Sequence, residues 1–295
     1  MTESSPVQLF KRTLSEFGEV KATRLAAALA FYTVFSLSPL LLLAVSIAGL
    51  VFGEEAAQGR IVAEIEGNVG RETAELIQTM LAATRNENSN VISLLIGLAT
   101  LLLGASALFG HLQDALNTIW RAKPPADAGF MAVIKKRLLS FSLVLLMGLL
   151  LLLSLLMTTG LSFLDELISS LAPGSVYLYH LLNLMVTFGL ITILFAVLFK
   201  FLPDVEIAWR NVWIGAAVTA GLFLVGIYLI SFYMGRAAPG SVFGAAGSLV
   251  ALLLWIYYSA QIFFFGAQFT FVNASQSKEV VGEVKENWIK TKKVA

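Results

Sequence analysis

Uncharged polar side chains set within long apolar runs are the groups in this 295-residue chain best placed to do chemistry. Tyr32, Thr33, Ser36 and Ser38 precede Pro39. Proline has no backbone N–H to give, so a helix through Pro39 should bend and leave a carbonyl without its partner. Asn183 and Thr187 stand one helical turn apart, and Tyr257, Gln261 and Gln268 share a face at i, i+4 and i+11. Tyr32, Ser36, Asn183, Tyr257, Gln261 and Gln268 are therefore candidate lining for a hydrated cavity or a path for lipid headgroups. The plainer reading is that they hydrogen-bond neighbouring helices, at about 0.6 kcal/mol each.

A second constellation is His111, Gln113, Asp114 and Asn117, followed by Trp120 and Arg121. Gln113, Asp114 and Asn117 are candidates for a cytoplasmic vestibule. The simpler account is a solvated helix end with Asp114 paired to a loop Lys or Arg. Enzyme chemistry is poorly provided for. His111 and His180 fall at opposite ends of their helices and cannot share a zinc ion, which needs three or four converging ligands. There is no cysteine, no Gly-rich phosphate loop, and no Ser-His-Asp or paired-His motif. The sequence predicts no enzyme, no cofactor and no metal site.

The elements that must hold these residues are six apolar runs: Leu25–Phe52, Val91–Gly110, Leu138–Leu164, His180–Phe199, Val212–Met234 and Phe243–Val272. Each reaches the roughly 20 residues a helix needs to cross about 30 Å of hydrocarbon. Hydrophobic residues make up 58% of the chain and charged residues 13%, too few to clothe a soluble domain. A β-barrel would alternate apolar and polar residues, and Leu149–Leu153 does not. The expected fold is all-α: a six-helix transmembrane bundle over 25–272, with an N-terminal interfacial helix and short amphipathic helices in the first external loop.

Sixteen Lys and Arg lie in alternate segments counted from the N-terminus and four in the others, which predicts both termini inside. The expected location is the bacterial inner membrane. Residues 1–24 read as the cytoplasmic interfacial helix, with Phe10, Leu14 and Phe17 on one face and Lys11 and Arg12 available to headgroups. Packing of that face on the bundle is an equal alternative. Residues 53–90 read as a periplasmic loop of two amphipathic helices broken at Gly67–Gly70, and 273–295 as a cytoplasmic tail. Gly215/Thr219, Ala217/Gly221 and Gly247/Ala251 are spaced for close helix approach. Trp120, Trp209 and Trp213 read as interfacial anchors. No Asp, Glu, Lys or Arg falls inside any run, which argues against a proton relay.

Four stretches resemble the YihY/BrkB family of bacterial inner-membrane proteins, historically mislabelled ribonuclease BN. They are Leu25–Pro39 (LAAALAFYTVFSLSP), Ala115–Trp120 (ALNTIW), Trp209–Gly215 (WRNVWIG), and Leu254–Ser259 (LWIYYS) with Gly266–Gln268 (GAQ). The resemblance implies six transmembrane helices with cytoplasmic termini, and envelope work in place of RNA cleavage. Many members carry Gly-Ala-Glu where this chain has Gln268, so a hydrogen-bonding role carries over to that position and an acidic one does not. The leading expectation is a transporter-like protein moving a lipid or amphiphilic envelope component. A Na⁺ or other ion exchanger and a non-transporting envelope scaffold are the alternatives. Expected partners are membrane lipids and a lipid or ion substrate, with no nucleic acid; the oligomeric state is left open.

Overall fold

The computed structural model describes residues 6–84, 91–122, 142, 145–146, 148–150, 152–154, 156–157, 159–160, 176–237 and 246–276. Eight helices lie in the continuous stretches: α1 (Pro6–Glu19), α2 (Ala22–Phe52), α3 (Glu54–Val69), α4 (Arg71–Thr84), α5 (Val91–Ile119), α6 (Val176–Phe201), α7 (Trp209–Ala237) and α8 (Gly247–Gln276). The described residues of 142–160 are helical, and no strand occurs among the described residues. Five of the six apolar runs coincide with α2, α5, α6, α7 and α8. The Pro124–Pro125 turn, the 165–175 loop and the tail beyond 276 lie outside the described residues.

Local chemistry sets the breaks. Gly53 at φ +82° and Gly70 at φ +99° each turn the chain within one residue, a backbone region glycine enters without a Cβ clash. Glu54 and Glu55 open α3, where carboxylates meet the positive end of the helix dipole. Leu202–Pro203 follows α6, and a residue before proline leaves the helical region. α5 runs on beyond the expected limit at Gly110 to Ile119, because Leu112, Ala115, Leu116 and Ile119 keep helical spacing and are buried. The backbone helix of α2 continues through position 39.

α8 is central, packing along α7 and α2 and carrying α1 on its flank; α2 packs on α5, and α6 on α7. One buried core gathers Ala22 and Ala26 of α2, Leu116 and Ile119 of α5, Phe195 and Phe199 of α6, Val212 of α7, and Phe264 and Phe271 of α8. The α3–α4 hairpin adds a second core, where Ile61, Ile77 and Leu81 meet Val45, Leu252 and Ile256. Away from these cores the helices expose large apolar side chains, among them Leu181, Met185, Val225, Tyr228, Leu229 and Phe232. Water penalises such a surface and acyl chains do not. Among the described residues, three helical segments, His180–Phe201, Trp209–Met234 and Gly247–Ser275, are long and apolar enough to cross a membrane. A fourth is reached if α1 and Ala22–Leu37 of α2, bent by 64° from one another, count as one span.

Candidate functional site

The six candidate lining residues fall into different settings. Ser36 is buried, and its hydroxyl donates within α2 to the carbonyls of Tyr32 at 3.0 Å and Thr33 at 3.1 Å. Tyr32, 41% exposed, lays its ring 5.0 Å from that of His111. His111 Nε2 lies 3.3 Å from the Leu25 carbonyl oxygen, a hydrogen bond when Nε2 carries the proton. Tyr257 packs between the two cores, and Asn183 is half-buried on α6. Gln261 and Gln268 serve α1: Gln261 lines a groove beside it, and Gln268 is wholly buried beneath it.

That groove, of about 320 Å³, opens between α1, α7 and α8. Phe10, Leu14 and Phe17 form the α1 wall, Leu222, Val225, Gly226 and Leu229 the α7 wall, and Tyr258, Gln261, Ile262 and Phe265 the floor. Phe265 is flanked by Phe10 at 5.6 Å and Phe17 at 5.9 Å between ring centres. α1 meets the bundle along part of its apolar face. Phe17 packs on the bundle, whereas Phe10 and Leu14 remain more than half exposed. Gln261 and Tyr258 are the lining residues with polar side chains in an otherwise apolar trough.

Beneath α1 lies an ionic seat that pattern reading missed. Glu16, its side chain 8% exposed, pairs with Arg12 Nε at 2.9 Å and approaches Arg121 Nη2 at 3.7 Å. Gln268 Nε2 donates to its second oxygen at 3.2 Å. Arg121 also reaches Glu19 at 3.7 Å and lies over the Phe271 ring, 5.8 Å from its centre. A carboxylate withdrawn from water needs this compensation from cations and an amide. The local signal was Arg12 one turn before Glu16, which reads equally well as a solvated helix pair.

The proposed vestibule residues are largely committed to a clasp. Gln113 Nε2 donates to Asp204 Oδ1 at 2.9 Å, Asn117 Nδ2 donates to Oδ2 at 2.7 Å, and Asn117 Oδ1 accepts from the Asp204 N–H at 2.8 Å. This ties the α6–α7 turn to α5, while Asp114 is exposed. Trp209 and Trp213 are each 47% exposed and stack 6.4 Å apart, as anchors can. Trp120 is different. It is 2% exposed, with its ring edge-on to Phe271 at 5.5 Å, so it is a core residue and not an anchor.

Long apolar helices, a lipid-compatible outer surface and a side groove define an all-helical membrane protein. The family described as "Virulence factor BrkB" matches residues 13–288, and the chain belongs to that family. It is 28% identical over 251 residues to a UPF0761 membrane protein of Verminephrobacter eiseniae, covering 83% of this chain and 57% of the relative. It is 26% identical over 268 residues to one of Nitrosospira multiformis, covering 90% and 61% respectively. It is 30% identical over 267 residues to one of Albidiferax ferrireducens, covering 87% and 60%. The chain thus spans about three-fifths of the length of these relatives. No solved structure matches it.

Proposed function

We propose that the protein is a multi-pass inner-membrane protein, both termini cytoplasmic, that binds and moves a lipid or amphiphilic envelope component. It acts by binding, without catalysis. Six transmembrane helices carry it, the third being the Leu138–Leu164 run. The observation that carries the reading is the side groove: an open, largely apolar trough between α1, α7 and α8 that counts Gln261 among its lining residues. An acyl chain would occupy the trough without giving up apolar contact, and a single amide can orient a polar linkage at modest cost.

The test is lipid retention by the full chain purified in native-lipid particles, read by mass spectrometry after exchange into lipid-free detergent. The wild type should retain a lipid-class molecule. Leu222→Trp, which fills the trough from α7, should lose it while keeping its helical content. Equal retention by both proteins, or none by the wild type, defeats the reading.

A further inference from the structure

We propose that α1 is a hinged side wall of the groove, held shut by the seating of Glu16 against Arg121 and Gln268. The purpose of such a wall rests on the amphiphile reading above; its mechanics do not.

The hinge is short. Only Val20 and Lys21 separate α1 from α2, and Lys21 adopts φ +53°. A residue with a side chain pays about 1 kcal/mol or more for that left-handed geometry. α1 alone furnishes the Phe10, Leu14 and Phe17 wall, so swinging it outward would open the trough sideways while α7 and α8 stay paired.

The latch is ionic where an apolar contact would serve for permanent docking. Glu16 is the one buried charged residue among the described residues, and it is held by groups from three helix regions: Arg12 on α1, Arg121 after α5, and Gln268 on α8. Replacing a buried ion pair by packed apolar side chains is often neutral or stabilising, whereas removing one partner is destabilising because it leaves a buried charge uncompensated. Arg121 also sits at φ +53°, at the end of α5. Its N–H bonds the Thr118 carbonyl at 3.2 Å, and the Ala122 N–H bonds that of Asn117 at 2.8 Å. This is the helix ending at which glycine is the usual residue. The guanidinium at this glycine position reaches Glu16 and Glu19. The seat is incompletely satisfied as well: Gln268 Oε1 is buried with no hydrogen-bond partner. Unmet polar atoms make the closed arrangement shallower than a fully paired one.

The chain has no cysteine, so reporter groups can be placed at will. The full chain carrying spin labels at Ser15→Cys and Tyr228→Cys is placed in nanodiscs of phosphatidylethanolamine and phosphatidylglycerol. The inter-label distance is then measured by pulsed electron resonance. The parent should give one narrow distribution. Glu16→Gln, which keeps the shape, and Arg121→Gly, which suits the left-handed backbone, should each raise the displaced-to-seated ratio roughly tenfold, as loss of one charge-assisted contact does. An unchanged distribution in both variants overturns the proposal. So does an equal shift in Arg71→Ala, which breaks only the exposed Arg71–Glu75 pair.

A second arm cross-links a Glu16→Cys/Gln268→Cys pair, whose native side chains meet outside the groove lining, with a reducible bis-thiosulfonate linker, and follows uptake of phosphatidylglycerol bearing a fluorescent acyl chain. Uptake should stop on cross-linking and return on reduction; uptake indifferent to cross-linking overturns the gating role. If uptake is absent in every state while the spin-label shift is present, the amphiphile reading fails and the hinge stands.

Discussion

Gly215 of α7 lies directly against the side chain of Thr270 of α8, and Gly266 of α8 returns the contact against Thr219 of α7. Each threonine hydroxyl donates to the carbonyl of the glycine one turn before it on its own helix, Thr219 to Gly215 at 2.6 Å and Thr270 to Gly266 at 2.8 Å. The hydroxyls are thereby satisfied within their helices, and the two backbones close on one another through van der Waals contact. A Cβ at either glycine would collide with the opposing threonine. The α7–α8 pair is thus the fixed element against which α1 is seated.

Gly215→Ala and Gly266→Ala should therefore each destabilise the protein by about 1–3 kcal/mol, the usual cost of overpacking. Gly221→Ala should be neutral or stabilising by up to about 1 kcal/mol, since a Cβ there meets open space and alanine favours helix. Unfolding of the three variants in mixed micelles gives the comparison. Equal losses at Gly215 and Gly221 would refute the contact.

Removal of the Glu16 carboxylate should be costly. Glu16→Ala leaves the buried Gln268 amide and the partly exposed Arg12 and Arg121 without their carboxylate, a loss of about 1–3 kcal/mol. Glu75→Ala removes an exposed partner of Arg71 and should cost no more than about 0.5 kcal/mol. Thermal melts of both variants decide whether the two ion pairs differ.

The left-handed backbone at Arg121 separates its side chain from its conformation. Arg121→Ala loses the guanidinium and keeps the strain; Arg121→Gly loses only the guanidinium. The glycine variant should be the more stable by about 1 kcal/mol in the same melts. A more stable alanine variant would mean that residue 121 lies in the ordinary helical region.

Asp204→Ala strands the buried Gln113 amide and frees the α6–α7 turn, with an expected loss of about 1–3 kcal/mol. Since Gln113 and Asn117 share this one partner, Gln113→Ala and Asn117→Ala should combine non-additively with Asp204→Ala. Additive effects in the double-mutant cycles would dissolve the clasp.

Topology is read by single cysteines in the cysteine-free chain. Glu72→Cys should react with a membrane-impermeant maleimide in spheroplasts, and Ser15→Cys only after the membrane is opened. Reaction of Ser15→Cys in sealed spheroplasts would reverse the assignment of the N-terminus.

Apolar runs alone located the long helices, because an unbroken stretch of Leu, Val, Ile and Phe has one stable backbone solution in lipid whatever surrounds it. The break between α3 and α4 was equally legible, since glycine marks a backbone φ that other residues avoid. Gly215/Thr219 was visible as small-residue spacing, and Gly266/Thr270 repeats the same spacing on the facing helix. Spacing could not tell that Gly221 faces open space or that Trp120 turns inward, because both depend on which helix stands opposite. Glu16 and Asp204 lie outside every apolar run, where local patterning names no partner for them. Composition and periodicity act over a few residues and so set each helix and its affinity for lipid. The meeting of Glu16 with Gln268, 252 positions apart, exists only once packing has brought α1 onto α8, and no local preference encodes that approach.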